Sequence, residues 1–200
     1  MPHIAIDKRR ELLVEAAIRV MARDGVAKAT TRAIAAEAGM ALAAFHYSFR
    51  SKQELLEHVF EAITWHTVDQ ALQALWVTGT VEERVRGALD TYWRHLIANP
   101  AEHRLTYELT QYAARQPALA SITKRQYEAY IAATAKLVEA LAQSSNVRFK
   151  APVPVLARYV LLVIDGLTLL WLNEGDTEAA RAALDLAGDH LLSLIVQVDE

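Results

Sequence analysis

The chain has 200 residues, a formal net charge of −3, 53% apolar and 22% charged residues, and no cysteine. That balance suits a packed core and excludes disorder, disulfides and thiolate metal sites. With only 7 glycines and 5 prolines among abundant alanine and leucine, and no sustained apolar–polar alternation, the expected fold class is all-α without strands. The N-terminus carries no apolar run with a cleavage site, so the expected compartment is the cytoplasm.

Charge is unevenly spread. Residues 1–52 hold nine Lys or Arg against five Asp or Glu, a net +4, while the remaining 148 residues hold twelve against nineteen, a net −7. A basic module joined to an acidic one is the pattern that phosphate binding at one end produces.

In chain order, a first helix is expected over 7–23, with Asp7 as N-cap and Leu13, Ala16, Ala17, Val20 and Met21 as its apolar stripe. Asp24-Gly25 ends it. Residues 1–6 read as a loose arm, with Lys8 to Arg10 in reach of phosphate. The stretch 30–52, TTRAIAAEAGMALAAFHYSFRSK, is the centre around which the chain is organised. Thr30 is an N-cap, Ile34, Ala35 and Ala38 share a face, and Gly39 stops the helix. A second short helix over 42–48 places Phe45 and Phe49 on one side, with His46 and Tyr47 on others. Helix, glycine-containing turn and helix form a helix-turn-helix pattern.

Ser51 caps a fourth helix reaching residue 76, with Glu54 completing a capping box. The expected division into domains is 1–52 as a DNA-binding head and 53–200 as a ligand-binding and dimerisation domain, with the fourth helix shared mechanically between them. Further helices are expected over Val81–Ala98, closed by Asn99-Pro100, then over 101–114 and 118–143. Residues 144–154 read as a loop. The eighth helix, 155–172, is apolar enough to invite a membrane span, but Arg158 and Asp165 inside it would each cost a few kcal/mol at a bilayer centre. A buried helix that also faces a second subunit is the better reading, with no membrane partner. A ninth helix over 177–196, with Leu184, Leu191, Leu192 and Ile195, completes a pair able to form a four-helix bundle with its symmetry mates.

With about nine helices in this order, the chain resembles the TetR family of one-component bacterial transcriptional regulators. The residues that carry the resemblance are Thr31, Ile34, Ala35, Ala38, Gly39, Tyr47, Phe49, Ser51, Lys52, Leu55 and Leu56, within ATTRAIAAEAGMALAAFHYSFRSKQELL. The Asp165-Gly166-Leu167 run also looks like one found on penultimate helices of such proteins. Two departures stand out. Ala41 occupies a position where the family commonly has Ser, so the recognition helix lacks a side-chain cap, and His46 and Ser48 point to a different operator.

The resemblance implies a double-stranded DNA operator read in the major groove. Leu42, Ala43 and His46 would face base edges, Arg32 would meet guanine, and Thr31, Tyr47, Ser48 and Lys52 would contact phosphate. The plainer alternative makes Leu42, Ala43 and Ala44 packing residues and His46 merely superficial. Behind the head, Trp65, His66, Trp93, His103, Tyr107, Glu108, Gln111, Tyr112, Asp165 and Trp171 fall on helices that would surround a cavity for a small apolar or amphipathic effector, although for any one of them ordinary packing is the commoner role. Asp165, an acid in an apolar helix, needs a partner: a cationic ligand, Arg158, a tyrosine or the opposite subunit. The implied function is a homodimeric repressor, paired through its last two helices and released when ligand tilts the fourth helix. An activator of the same fold is the alternative. An enzyme is disfavoured, because no GxSxG or glycine-rich phosphate loop occurs and His58 and His66 have no third metal ligand in register. A helical interaction module without DNA is disfavoured by the basic head. Neither a cofactor nor a metal is expected.

Overall fold

The computed structural model describes residues 5–73 and 78–197. Among them are α1 (Ile6–Asp24), α2 (Thr31–Glu37), α3 (Leu42–Ser48), α4 (Lys52–Gln73), α5 (Val81–Ala98), α6 (Pro100–Ala114), α7 (Ala120–Ser145), β1 (Val147–Phe149), α8 (Val153–Glu174), α9 (Thr177–Ser193) and β2 (Ile195–Gln197). The all-α class therefore holds, with one small addition. β1 and β2 form an antiparallel pair in register Val147↔Gln197, Arg148↔Val196 and Phe149↔Ile195. Three-residue strands show no readable period, and this pair exists only because distant segments meet, so the expected loop at 144–154 and the expected end of α9 both required correction. The expected end of α4 at residue 76 lies outside the described residues.

Local chemistry sets most helix ends. Thr30 accepts a hydrogen bond from Ala33 N at 3.1 Å and caps α2. Gly39 leaves α2 at φ +66°, a backbone conformation that L side chains rarely adopt. Ser51 Oγ accepts from Glu54 N at 3.1 Å, but the Glu54 carboxylate turns back to Arg50 N at 2.8 Å, one residue before the box position. Thr80 and Glu83 complete a reciprocal capping box at the start of α5, a T-x-x-E signal present in the sequence but unread there. Asp7 does not cap α1. The helix begins one residue earlier, after Ala5, and Asp7 lies in its first turn, where its charge favours the helix N-terminus.

Packing divides the chain into two compact units, and not at residue 52: the described residues up to Trp65 join Ala101–Gln126, while His66–Pro100 joins the described residues from Tyr127 onward. In the first unit, Leu13, Ala16, Ala17, Val20 and Met21 of α1 meet Ile34, Phe45, Phe49, Leu55 and Val59, as the stripes imply. Leu105, Leu109 and Ala113 of α6 are buried in the same core. Their four-residue spacing gives α6 one apolar face, and that face is spent on the head. In the second unit, Trp93, Leu96, Leu167, Ala180 and Leu184 form a core across α5, α8 and α9.

Candidate nucleic-acid interface and effector site

Seven residues make a marginal helix in isolation, so α3 depends on its surroundings. Ala41 gives it no side-chain cap, as expected. Phe45 and Phe49 are each 1% exposed, with ring centroids 5.8 Å apart. At the C-terminal end, Arg10 Nε donates to Ser48 O at 2.9 Å, a guanidinium on a carbonyl the helix leaves open. Arg10 also pairs with Glu54 at 3.2 Å and lies over Phe49. Its expected phosphate contact is therefore replaced by a structural one.

Of the residues expected to contact DNA, Arg32, Ala43, His46 and Tyr47 are exposed. Tyr47 has 71% of its surface open, with the Arg9 guanidinium 5.3 Å from its ring centre. Leu42 packs partly against the core, and Thr31 is half-buried. Ser48 must be corrected: it is 2% exposed and its Oγ donates to Ala44 O at 2.9 Å, so it has no face for a phosphate. Lys52 is half-buried, and its ammonium donates to Val26 O at 3.3 Å. Burial pushes the Lys52 ammonium below its ordinary value.

Much of the basic charge in the head is internally matched. Lys8 pairs with Glu11, and both Arg19 and Arg23 pair with Glu37 at 3.0 Å. Among the described residues, Lys28, Arg32 and Arg50 make no ion pair. Sequence reading missed Arg50, whose signal was only its place after the buried Phe49. The Glu37 carboxyl is held below the usual range first by Arg23 and then by Arg19. A lowered native value means its contribution to folding is present above the ordinary carboxyl value and lost as pH falls through the lowered one. Urea melts between about pH 6 and about pH 3 should therefore lose less stability in Glu37→Gln than in the parent.

The residues expected around a cavity fall in both units. Glu108 Oε1 accepts from Val26 N at 2.8 Å, and a Cβ at Gly25 would approach that oxygen to 3.3 Å. With φ +86°, Gly25 thus meets both a backbone and a space requirement. Glu108 is a tether on the α1–α2 turn rather than a free ligand group. Tyr112 packs on the head core, Gln111 is exposed, and His103 and Tyr107 are half-buried in the same unit. Trp65 is 73% exposed and so does not line an enclosed site within its unit.

In the second unit, Trp93 and Trp171 pack edge to face at 5.8 Å, and Trp171 Nε1 donates to Thr177 Oγ1 at 3.2 Å. Their packing role is explicit. His66 is exposed, hydrogen-bonded to Gln70 at 2.8 Å, with its ring 6.2 Å from His95. Asp165 has a tyrosine partner: Tyr127 hydrogen-bonds its carboxylate. Arg158 instead donates to Pro154 O at 3.4 Å. Burial raises the Tyr127 phenol to about 12, with the Asp165 charge adding to it. Tyr92 is also raised, first by burial. Sequence reading singled out neither Tyr127 nor Tyr130, because an aromatic at helical spacing has the same signature whether it packs or binds.

Comparisons with known proteins agree with this arrangement. The family described as "Bacterial regulatory proteins, tetR family" matches residues 13–59, and "BetI-type transcriptional repressor, C-terminal" matches residues 81–196. The HTH-type nicotine-responsive transcriptional repressor HdnoR of Paenarthrobacter nicotinovorans is 29% identical over 161 residues, covering 80% of this chain and 82% of that protein. The HTH-type transcriptional regulator BetI of Rhizobium meliloti (strain 1021) is 33% identical over 95 residues, 47% of each chain. The fold is similar to the crystal structure of a TetR transcription regulator from Haloarcula marismortui, with TM-score 0.78 and 21% identity over 95% of this chain and 100% of that one. A helix-turn-helix head matched by one description and a C-terminal region matched by the other place this chain in the TetR family of DNA-binding, non-enzymatic transcriptional regulators.

Proposed function

We propose that this protein is a cytoplasmic repressor that holds a palindromic operator as a homodimer and leaves it when a small organic effector binds behind the head. The observation that carries the reading is the open face of α3: His46 and Tyr47 project from a helix whose other side is sealed by Phe45, with Arg32 exposed on the preceding helix. Leu42 and Ala43 sense thymine methyls and shape, His46 reaches a purine N7 or O6, and Arg32 reads guanine. Tyr47, Thr31 and Arg50 hold the backbone, and Lys52 adds its field from the start of α4.

The dimer is assigned to the last two helices. Val155, Leu162 and Leu169 recur every seven residues along α8, and Leu170 and Leu186 are likewise exposed. A seven-residue repeat keeps side chains on one helix face, and the apolar stripe here suits a second copy of itself. The 22-residue α8 is also long and apolar enough to cross a membrane by composition alone. The charged N-terminal unit and the family's dimeric habit favour a partner subunit. A nicotine-responsive relative supports effector release by a small molecule.

Selecting bound duplexes from a random pool, then screening compounds for release, tests the whole reading. On the selected operator, Arg32→Ala should lose about 1–3 kcal/mol and relax preference at one base pair. Arg50→Ala should weaken all duplexes alike and reduce the salt slope by about 1. No binding to any duplex at low salt defeats the proposal.

A further inference from the structure

Gly166 stands in the interior of α8, and nothing among the described residues requires a glycine there. Its backbone is helical, without a positive φ, and a Cβ at that position would meet nothing within 4 Å beyond its immediate helical backbone. Gly188 on α9 is the contrast. A Cβ there would lie 3.3 Å from Leu89 Cδ1, so that glycine makes room for a neighbour from α5. Glycine weakens a helix interior relative to alanine, because it gives up more backbone freedom on folding. At an open, helical position alanine would suit this chain better, unless something outside the chain comes close.

The surface around Gly166 identifies what comes close. Gly166 lies four residues after Leu162 and three before Leu169, so it falls on the same seam as those leucines and Val155. All four are exposed. Gly166 is therefore a notch in an apolar ridge, with a leucine on either side. Between Tyr159 and Asn173 the one charged residue is Asp165, and it is engaged by Tyr127. An uncharged ridge offers nothing to nucleic-acid phosphate. A ridge with a central notch is complementary to a second copy of itself about a two-fold axis, where a residue meets its own counterpart. Regulators of this family function as dimers. We infer that the two α8 helices of a dimer cross at Gly166, with their backbones in contact there and the flanking leucines packed beside the crossing. The inference rests on the dimer assigned above to the last two helices, and it places the axis of that dimer.

A chain without cysteine accepts a single probe thiol cleanly. Full-length Gly166→Cys should form a reducible covalent dimer under mild oxidation, because a disulfide requires Cα atoms within about 7 Å. Glu139→Cys, on the exposed side of α7, is the collision control and should stay uncross-linked. Gly166→Leu should raise the dimer dissociation constant at least about tenfold in sedimentation, with helicity at the parent level. Should the leucine lower helicity, the thiol result decides. A parental dissociation constant in a folded Gly166→Leu, or no more cross-linking at 166 than at 139, overturns the inference. The variant carrying both Leu162→Glu and Leu169→Glu separates two failures. If it is monomeric while Gly166→Leu stays dimeric, the helices cross elsewhere on this face. If neither disrupts the dimer, the assignment to α8 fails as well. A dimeric Gly166→Leu that holds operator but is no longer released means the notch takes a small molecule, which also overturns the crossing.

Discussion

Leu162→Glu combined with Leu169→Glu should yield a folded, monomeric chain whose affinity for the operator falls by at least ~100-fold. Both side chains are already exposed, at 72% and 50%, so the substitutions leave the core of their own unit untouched. At a symmetric interface each glutamate would face apolar surface or its own copy, and two charges per subunit would be buried without partners. DNA binding suffers indirectly. Two linked heads convert the second half-site contact into an intramolecular one, and a monomer forfeits that gain of 10²–10⁴ at most, here roughly its lower end. Sedimentation at micromolar concentration, set beside operator anisotropy, is the measurement. A double variant that stays dimeric would remove α8 from the interface.

Glu108→Ala is the second large effect, and it separates two roles for one residue. The Glu108 carboxylate reaches from α6 to Val26 N at 2.8 Å, while Lys52 Nζ reaches from α4 to Val26 O at 3.3 Å. Val26, in the turn between α1 and α2, is thus held at both of its backbone polar atoms by two other helices. Removing the carboxylate leaves a backbone donor dependent on water and loosens the turn that sets the angle of α2. A loss of about 1 kcal/mol is expected, because Glu108 is itself exposed and water can replace part of the bond. Operator affinity should fall with it, and Glu108→Gln, which keeps an acceptor oxygen, should recover most of both. If Glu108 instead touched effector, Glu108→Ala would bind operator normally and fail to release it. Thermal melts and anisotropy, each with and without a releasing compound, tell these apart.

The head was legible because its determinants are local. Thr30 caps the next three residues, Gly39 takes a left-handed backbone, and Leu13, Ala17 and Val20 repeat at the helical period. The same reading overstated its polar residues. Ser48 is polar yet buried and Arg10 is charged yet bound to Ser48 and Glu54, facts set by neighbours 38 and 44 positions away. A sequence records that a side chain can hydrogen-bond, but not which way its helix is turned.

The sequence by itself determined the all-α class, the helix-turn-helix, the basic head and the apolar penultimate helix, all properties of short-range spacing and composition. Only the tertiary structure decided that α6 spends its apolar face on the head, that Glu108 grips the first turn and that Asp165 meets Tyr127 while Arg158 turns to Pro154. Those outcomes depend on which helices become neighbours, and no period or cap along a single chain carries that information. Contacts between residues far apart in sequence are chosen by the whole set of apolar faces seeking burial together.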